Sequence, residues 1–148
     1  MSVNKNSSID DIVGKEYPHL AEYSEYIKGV KSRYIKYKTE KGYLDYDDML
    51  VYLKKLLEDD VVRRQAASKY RYIMVDEYQD TNKIQGDISY LLAKDHQNIM
   101  VVGDDAQSIY GFRGATHKNI MDFPMMFPGC AIIKLEENYR STQPILDA

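Results

Sequence analysis

Two apolar stretches of the chain each end in a pair of acidic residues. The first runs directly into Asp76-Glu77, and the second runs through a glycine into Asp104-Asp105. In an open α/β sheet, ligands bind beyond the carboxyl ends of the strands, where these carboxylates would lie. A carboxylate there can hold Mg²⁺, which takes one or two carboxylates together with water and phosphate oxygens, and a neighbouring acid can polarise a water molecule. The alternative is that acids after a strand only begin a loop.

The elements that would position these acids are two strands joined by a helix. Residues 72–75 and 99–102 are short apolar runs, and residues 82–94 between them carry apolar side chains at helical spacing. Near-continuous apolar strands that alternate with a helix predict a parallel α/β sheet. Residues 131–135 are a third candidate strand.

The first part of the chain reads as helical. Apolar residues recur at intervals of three or four, and this spacing predicts helices over residues 9–41, 45–58 and 60–69. Pro18 suits the first turn of the first helix, Gly42 suits its end, and Asp45 is a candidate N-cap of the second helix. Near residue 70 the sequence changes from helical spacing to short apolar runs. This change predicts a helical segment over 1–69 and an α/β segment over 70–148.

Composition narrows the classes of protein. The formal net charge of −3 does not indicate a globally basic nucleic-acid binder, and the single Cys130 excludes an internal disulfide framework. No apolar run approaches the roughly 20 residues that span a bilayer, so we expect no membrane partner and a cytoplasmic location. Six basic residues crowd residues 28–41, which favours a solvated helix face and leaves contact with a DNA backbone as the alternative.

Three longer motifs surround the acidic pairs. They are VDEYQDTN from Val75, VVGDDAQSIYGFRGA from Val101 and LEENYRS from Leu135, and YDDML precedes them from Tyr46. Their order and spacing closely resemble motifs II, III and IV of the UvrD/Rep/PcrA family of superfamily 1 DNA helicases, over residues 46–148. The resemblance implies part of a RecA-like (P-loop NTPase) parallel sheet that follows an N-terminal helical segment.

The resemblance implies a role for each motif residue toward ATP and Mg²⁺. Asp76 would hold Mg²⁺ on the β- and γ-phosphates, and Glu77 would activate the hydrolytic water. Gln107 would sense the γ-phosphate, and its alternative role is a structural amide. Arg140 would act as an arginine finger, and Tyr139 would stack on the adenine.

The same resemblance implies contacts with DNA. Tyr110 and Phe112 would lie against unstacked bases, with packing under the loop as the alternative for both. Arg113 would tie the motif to the acidic cluster or contact a phosphate. The sequence departs from the family at Ala106, where a third acid often stands.

The sequence also lacks a motif that such a motor needs. The pattern GxxxxGK[ST], which forms the phosphate-binding P-loop, is absent from the 148 residues. We therefore expect a fragment of a bacterial ATP-dependent DNA helicase of repair or recombination that is inactive alone. Residues 1–69 would be the end of the helical insertion and its return to the core, and residues 70–148 the C-terminal half of the first motor domain.

Two alternatives to that interpretation and one consequence of it stay open. The first is a DNA-binding or partner-binding module without ATPase activity. The second is part of a recombination helicase–nuclease subunit, which shares these motifs. The third is that half a sheet leaves an unpaired edge, through which the fragment could form a non-native dimer.

Overall fold

The computed structural model describes residues 8–107 and 118–146. Most of these residues are helical, and the sheet has two strands. The α-helices are α1 (Ile9–Glu16), α2 (Ser24–Lys41), α3 (Tyr46–Glu58), α4 (Asp60–Ala67), α5 (Lys83–Ala93), α6 (Lys118–Met126) and α7 (Gln143–Leu146). The strands are β1 (Ile73–Val75) and β2 (Ile99–Val101), and 3₁₀ turns cover Pro18–Tyr23, Tyr78–Asp80 and Asp105–Gln107.

The long helix predicted within residues 9–41, with Pro18 in its first turn, is only partly confirmed, because the chain leaves the helical conformation at Tyr17 and divides this range. This residue adopts φ −137° and ψ 55°, outside the helical region, and a 3₁₀ turn separates α1 from α2. The cause is Pro18, which has no amide hydrogen and disfavours helical backbone in the residue before it. Pro18 therefore begins the 3₁₀ turn, whereas Gly42 ends α2 in the left-handed conformation (φ 66°), as predicted.

The two helices that follow are confirmed, and side-chain caps fix where they begin. The Asp45 carboxylate accepts a hydrogen bond from the Asp48 amide at 2.8 Å, and the Asp48 carboxylate accepts one from the Asp45 amide at 3.2 Å. This reciprocal pair is a capping box, which satisfies two of the amide donors that a helix leaves open at its start. Asp59 caps α4 by accepting from the amides of Val61 and Val62.

A lysine of α2 ties that helix to the start of α3. The Lys38 ammonium lies 2.6 Å from Asp45 Oδ2 and also contacts the Asp48 carboxylate, while the Tyr34 hydroxyl donates to Asp45 Oδ2 at 2.9 Å. The hydrogen bond from Lys38, together with those from the Asp48 amide and Tyr34, holds the pKa of Asp45 well below its ordinary value. Because the folded pKa lies below the unfolded one, Asp45 stabilises the fold above its unfolded pKa of about 3.9. That contribution is lost as the pH falls below this value.

We expect Asp45→Asn to make the free energy of unfolding depend less on pH in the acid range. The asparagine still caps α3 but has no charge for Lys38, so part of the loss of stability below about pH 4 should disappear. The measurement is the free energy of unfolding in urea at neutral and at acid pH. Asp47→Asn is the control, because Asp47 is exposed in the same helical turn. An equally steep loss of stability in Asp45→Asn and in the unchanged protein would contradict the assignment.

The two predicted strands are confirmed as a parallel pair. Ile73 pairs with Ile99 and Val75 with Val101, and α5 forms the connection between the strands. The third strand predicted over residues 131–135 is wrong, because the structure assigns these residues to no strand. A strand needs a neighbour for its hydrogen bonds, and Ile133 of this segment is 82% exposed.

The core lies on one face of this sheet. Buried Tyr78, Phe123 and Phe127 pack with Ala93 against the inward side chains of both strands. The ring centroids of Tyr78 and Phe123 are 5.9 Å apart in an edge-to-face arrangement. On the opposite face, Met74 and Met100 point outward and are mostly exposed. The described residues therefore cover only one face of the sheet.

The helical segment is packed on the α/β part. Helix α3 contacts α5 extensively, and buried Leu57 lies on α3. The buried Arg63 of α4 donates to Asp95, beyond the end of α5, at 3.1 Å and to Asp60 at 2.6 Å. Among the described residues, no helix is both long and apolar enough to cross a membrane.

Candidate functional site

The two acidic segments meet at the carboxyl ends of β1 and β2. The hydrogen bonding of the sheet continues past the strands, since the Val102 amide donates to the Val75 carbonyl at 2.8 Å and the Tyr78 amide donates to the Val102 carbonyl at 2.9 Å. Asp76 and Glu77 therefore leave β1 beside the backbone that leads to Asp104. This is the juxtaposition that a parallel pair predicts.

Gln79 connects the two segments through its side chain. Its Nε2 donates to Glu77 Oε2 at 2.7 Å, and its Oε1 accepts from the Asp104 amide at 3.0 Å. The residue is 1% exposed. A buried amide can donate and accept at once, so this residue orients the Glu77 carboxylate relative to the second strand end.

The backbone of Glu77 adopts an uncommon conformation. Its φ of 49° and ψ of 44° lie in the left-handed region, which costs energy for a residue with a side chain. The Glu77 amide donates to Asp76 Oδ1 at 2.9 Å, which helps to hold the turn. Such strain persists where the surroundings fix it, and it is concentrated at functional sites.

Gly103 lets the two strand ends approach each other closely. A Cβ atom at this position would lie 2.6 Å from Gln79 Oε1 and 3.0 Å from Ile120 Cδ1. On the other side of the turn, Asn119 of α6 donates to the carbonyls of Thr81 and Asn82 at 3.0 and 3.2 Å. The site thus rests on α6 as well as on the two strands.

Asp104 organises the loop that follows β2. Its Oδ1 accepts from the Ala106 amide at 3.0 Å, and its Oδ2 accepts from Gln107 Nε2 at 2.7 Å. The predicted sensor Gln107 is thus joined through Asp104 to Gln79 and to Glu77. Asp80 Oδ1 is buried and accepts no hydrogen bond from a described residue.

The carboxylate of Asp76 is suited to bind Mg²⁺. It is exposed, and only its Oδ1 accepts a hydrogen bond from a described residue. No group of three or more metal-ligating side chains occurs within residues 8–107 and 118–146. Mg²⁺ needs no such group, because waters and phosphate oxygens complete its shell when one carboxylate holds it.

The remaining predicted residues lie apart from this cluster. Tyr139 is 89% exposed and donates a hydrogen bond to the Glu137 carboxylate, which raises the pKa of the Tyr139 hydroxyl. The Arg140 side chain makes no hydrogen bond or ion pair with a described residue. The predicted DNA-binding residues Tyr110, Phe112 and Arg113 lie outside the described residues.

Sequence reasoning missed three residues that build the site. Gln79 was assigned no role, because its hydrogen bond to the Asp104 amide joins two segments that lie 25 positions apart in the sequence. Gly103 carried a signal as well, because a glycine at the end of an apolar strand often marks a close backbone approach. Asn119 had no local signal, since its partners lie 37 and 38 positions away in the sequence.

The chain is similar to known helicases. A sequence model described as the UvrD/REP helicase N-terminal domain matches residues 2–128. A probable DNA helicase II homolog of Rickettsia conorii is 52% identical over 106 residues, which are 71% of this chain and 16% of that protein. The ATP-dependent DNA helicase PcrA of Staphylococcus aureus is 43% identical over 127 residues, which are 85% of this chain and 17% of that protein. The chain thus spans about a sixth of the length of these relatives.

Proposed function

Because the chain belongs to the UvrD/REP helicase family, we propose that it forms the acidic side of the ATP site of a DNA helicase. The observation that carries the proposal is the buried Gln79, which joins Glu77 to the Asp104 loop across the ends of two parallel strands. Pre-organised carboxylates at such strand ends suit phosphoryl transfer, in which positioning and charge stabilisation supply most of the rate.

In this proposal the carboxylates divide the chemistry between them. Bound Mg²⁺–ATP would supply the phosphoryl group, with its negative charge reduced by the metal. Asp76 holds Mg²⁺ through its exposed carboxylate. Glu77 accepts the proton of the attacking water, and its hydrogen bond from Gln79 keeps the carboxylate in one orientation.

Two further motif residues would respond to the nucleotide. Gln107 senses the γ-phosphate, and its side chain donates to Asp104, whose amide donates in turn to the Gln79 side chain that orients Glu77. Arg140 neutralises charge on the transferring group, and Tyr139 stacks on adenine. Both side chains are exposed, so a nucleotide can reach them.

The DNA would bind elsewhere in the motif that follows β2. Tyr110 and Phe112 stack on bases of single-stranded DNA, and Arg113 contacts the acidic cluster or a phosphate. In this assignment residues 70–148 are the C-terminal half of a RecA-like domain and residues 1–69 the end of its helical insertion. The parent works in repair or recombination, and the alternative parent is a helicase–nuclease subunit.

We expect the 148-residue chain by itself to hydrolyse no ATP, with or without single-stranded DNA. The reason is that GxxxxGK[ST] is absent from its sequence, so no backbone cradle and lysine hold the triphosphate beside Glu77. Phosphate release from purified protein is the measurement. Turnover that persists in this chain and vanishes in Glu77→Gln would contradict the expectation.

A binding module without ATPase activity is the second candidate function. The outward face of the sheet, with Met74 and Met100 exposed, favours it, because an apolar surface of this kind is suited to a partner. Separately from this alternative, an unpaired sheet edge would let two copies of the fragment form a non-native dimer. Sedimentation that shows a single monomeric species would remove the pairing.

A further inference from the structure

Helix α2 concentrates positive charge on a chain that is acidic as a whole. It holds six of the 20 basic residues and two acidic ones, so its formal charge is +4, whereas the whole chain carries −3. None of its side chains is buried. The helix therefore presents a local basic surface.

Basic side chains on one side of α2 form ion pairs within the protein. Lys28 lies 2.8 Å from both Asp10 and Glu25, and Lys38 contacts the acids that begin α3. These ion pairs hold α2 against α1 and α3. We call this side the paired face.

The other side of α2 carries Tyr26, Val30, Arg33, Tyr37 and Lys41, and we call it the open face. The intervals of four, three, four and four residues align these side chains along one side of the helix. Tyr26 is 69% exposed and Tyr37 is 54% exposed. Arg33 and Lys41 are exposed and form no ion pair with a described residue. The fifteen residue steps from the first to the last span about 22 Å at 1.5 Å per residue.

Local contacts position the Arg33 and Tyr37 side chains on this face. The Arg33 side chain runs back along the helix to Gly29, where its Nη2 would lie 3.9 Å from an added Cβ atom. Its charge therefore sits between the turns that carry the two tyrosines. The Tyr37 ring meets the Tyr43 ring edge-on at a centroid distance of 6.1 Å, which steadies it from one side.

We propose that the open face of α2 binds single-stranded nucleic acid, as a contact surface additional to the motif that follows β2. Single strands are bound where cations track the phosphates and aromatic rings offer faces to the bases, and the open face presents both in alternation. The acidic remainder of the chain repels phosphates and leaves this helix as the favoured surface. An acidic protein segment would use Arg33 and Lys41 but has no bases to stack on the tyrosines.

The test is fluorescence anisotropy of the full chain with a labelled oligothymidylate at several salt concentrations. We expect Tyr26→Ala and Tyr37→Ala each to weaken binding about fivefold or more, the lower end of what a lost stacked base costs. Arg33→Gln combined with Lys41→Gln should reduce the slope of log affinity against log salt by about 1.4, from 0.7 for each phosphate contact. Lys31→Gln is the matched control, because Lys31 is an exposed cation on the paired face.

Three results would overturn the inference. The first is a loss of affinity in Lys31→Gln equal to that in the variant with both Arg33→Gln and Lys41→Gln, which would indicate charge without a defined surface. The second is equal competition by polyglutamate, which would indicate an acidic protein partner. The third is binding that is lost in Tyr110→Ala with Phe112→Ala and unchanged in all open-face variants, which would leave the proposed helicase function intact. Circular dichroism of each variant checks that the helix content of the chain is unchanged.

Discussion

Replacing Glu77 with glutamine in the full-length helicase proposed above should lower ATP turnover by a factor of about 10²–10⁴. Glutamine keeps the size of the side chain and can still contact Gln79, but it cannot take a proton from water. Steady-state phosphate release at saturating ATP and single-stranded DNA is the measurement. The affinity for single-stranded DNA, measured without ATP, should change little, because Glu77 is assigned to ATP hydrolysis and the DNA contacts are assigned to other residues.

Glu16→Gln is the control for this substitution. Glu16 is exposed at the end of α1 and forms no ion pair with a described residue, so the same chemical change there should leave turnover unaltered. Turnover that survives Glu77→Gln would remove Glu77 from the role of general base. The family assignment would stand in that case.

We expect Gly103→Ala to lower the free energy of unfolding by about 1–3 kcal/mol, as overpacking of a closely packed site does. The added Cβ atom would lie 2.6 Å from Gln79 Oε1, and Gln79 cannot move freely because it holds Glu77 and the Asp104 amide. Urea denaturation followed by circular dichroism measures the change.

A second glycine provides the matched control for Gly103→Ala. Gly14 lies inside α1 with nothing within 4 Å of an added Cβ atom. Gly14→Ala should therefore raise the free energy of unfolding by about 0.5–1 kcal/mol, since alanine favours helix more than glycine does. In a Gln79→Leu background the cost of Gly103→Ala should change, because the atom it meets first is gone. Strict additivity of the two substitutions would contradict the proposed contact.

Local sequence patterns predicted the elements that depend on local physics. The capping residues Asp45 and Gly42 mark the ends of their helices because each satisfies backbone groups within a few residues of itself. Apolar periodicity found α5, β1 and β2 for the same reason. The long helix predicted within residues 9–41 is divided in the structure, because Pro18 disfavours helical backbone at Tyr17.

Features that depend on distant partners were not predictable in the same way. Residues 131–135 have the composition of a strand, but composition does not supply the neighbour that a strand must pair with. At the site, the strand-ending acids were visible in the sequence, whereas the Gln79 bridge spans 25 positions to Asp104. Asn119 contacts residues that only the packing of α6 brings near.

The hydrogen bonds at the ends of β1 and β2 also bear on how this region opens. The amides of Tyr78, Val102 and Asp104 each donate across the gap between the two segments, the last of them to the Gln79 side chain. Loops usually fluctuate independently of the sheet that carries them. Here the two acidic loops cannot move apart without breaking the hydrogen bonds that join them. The two loops should therefore exchange their amide hydrogens with solvent as one cooperative unit. This edge of the sheet should then open and close as a short extension of the two strands does.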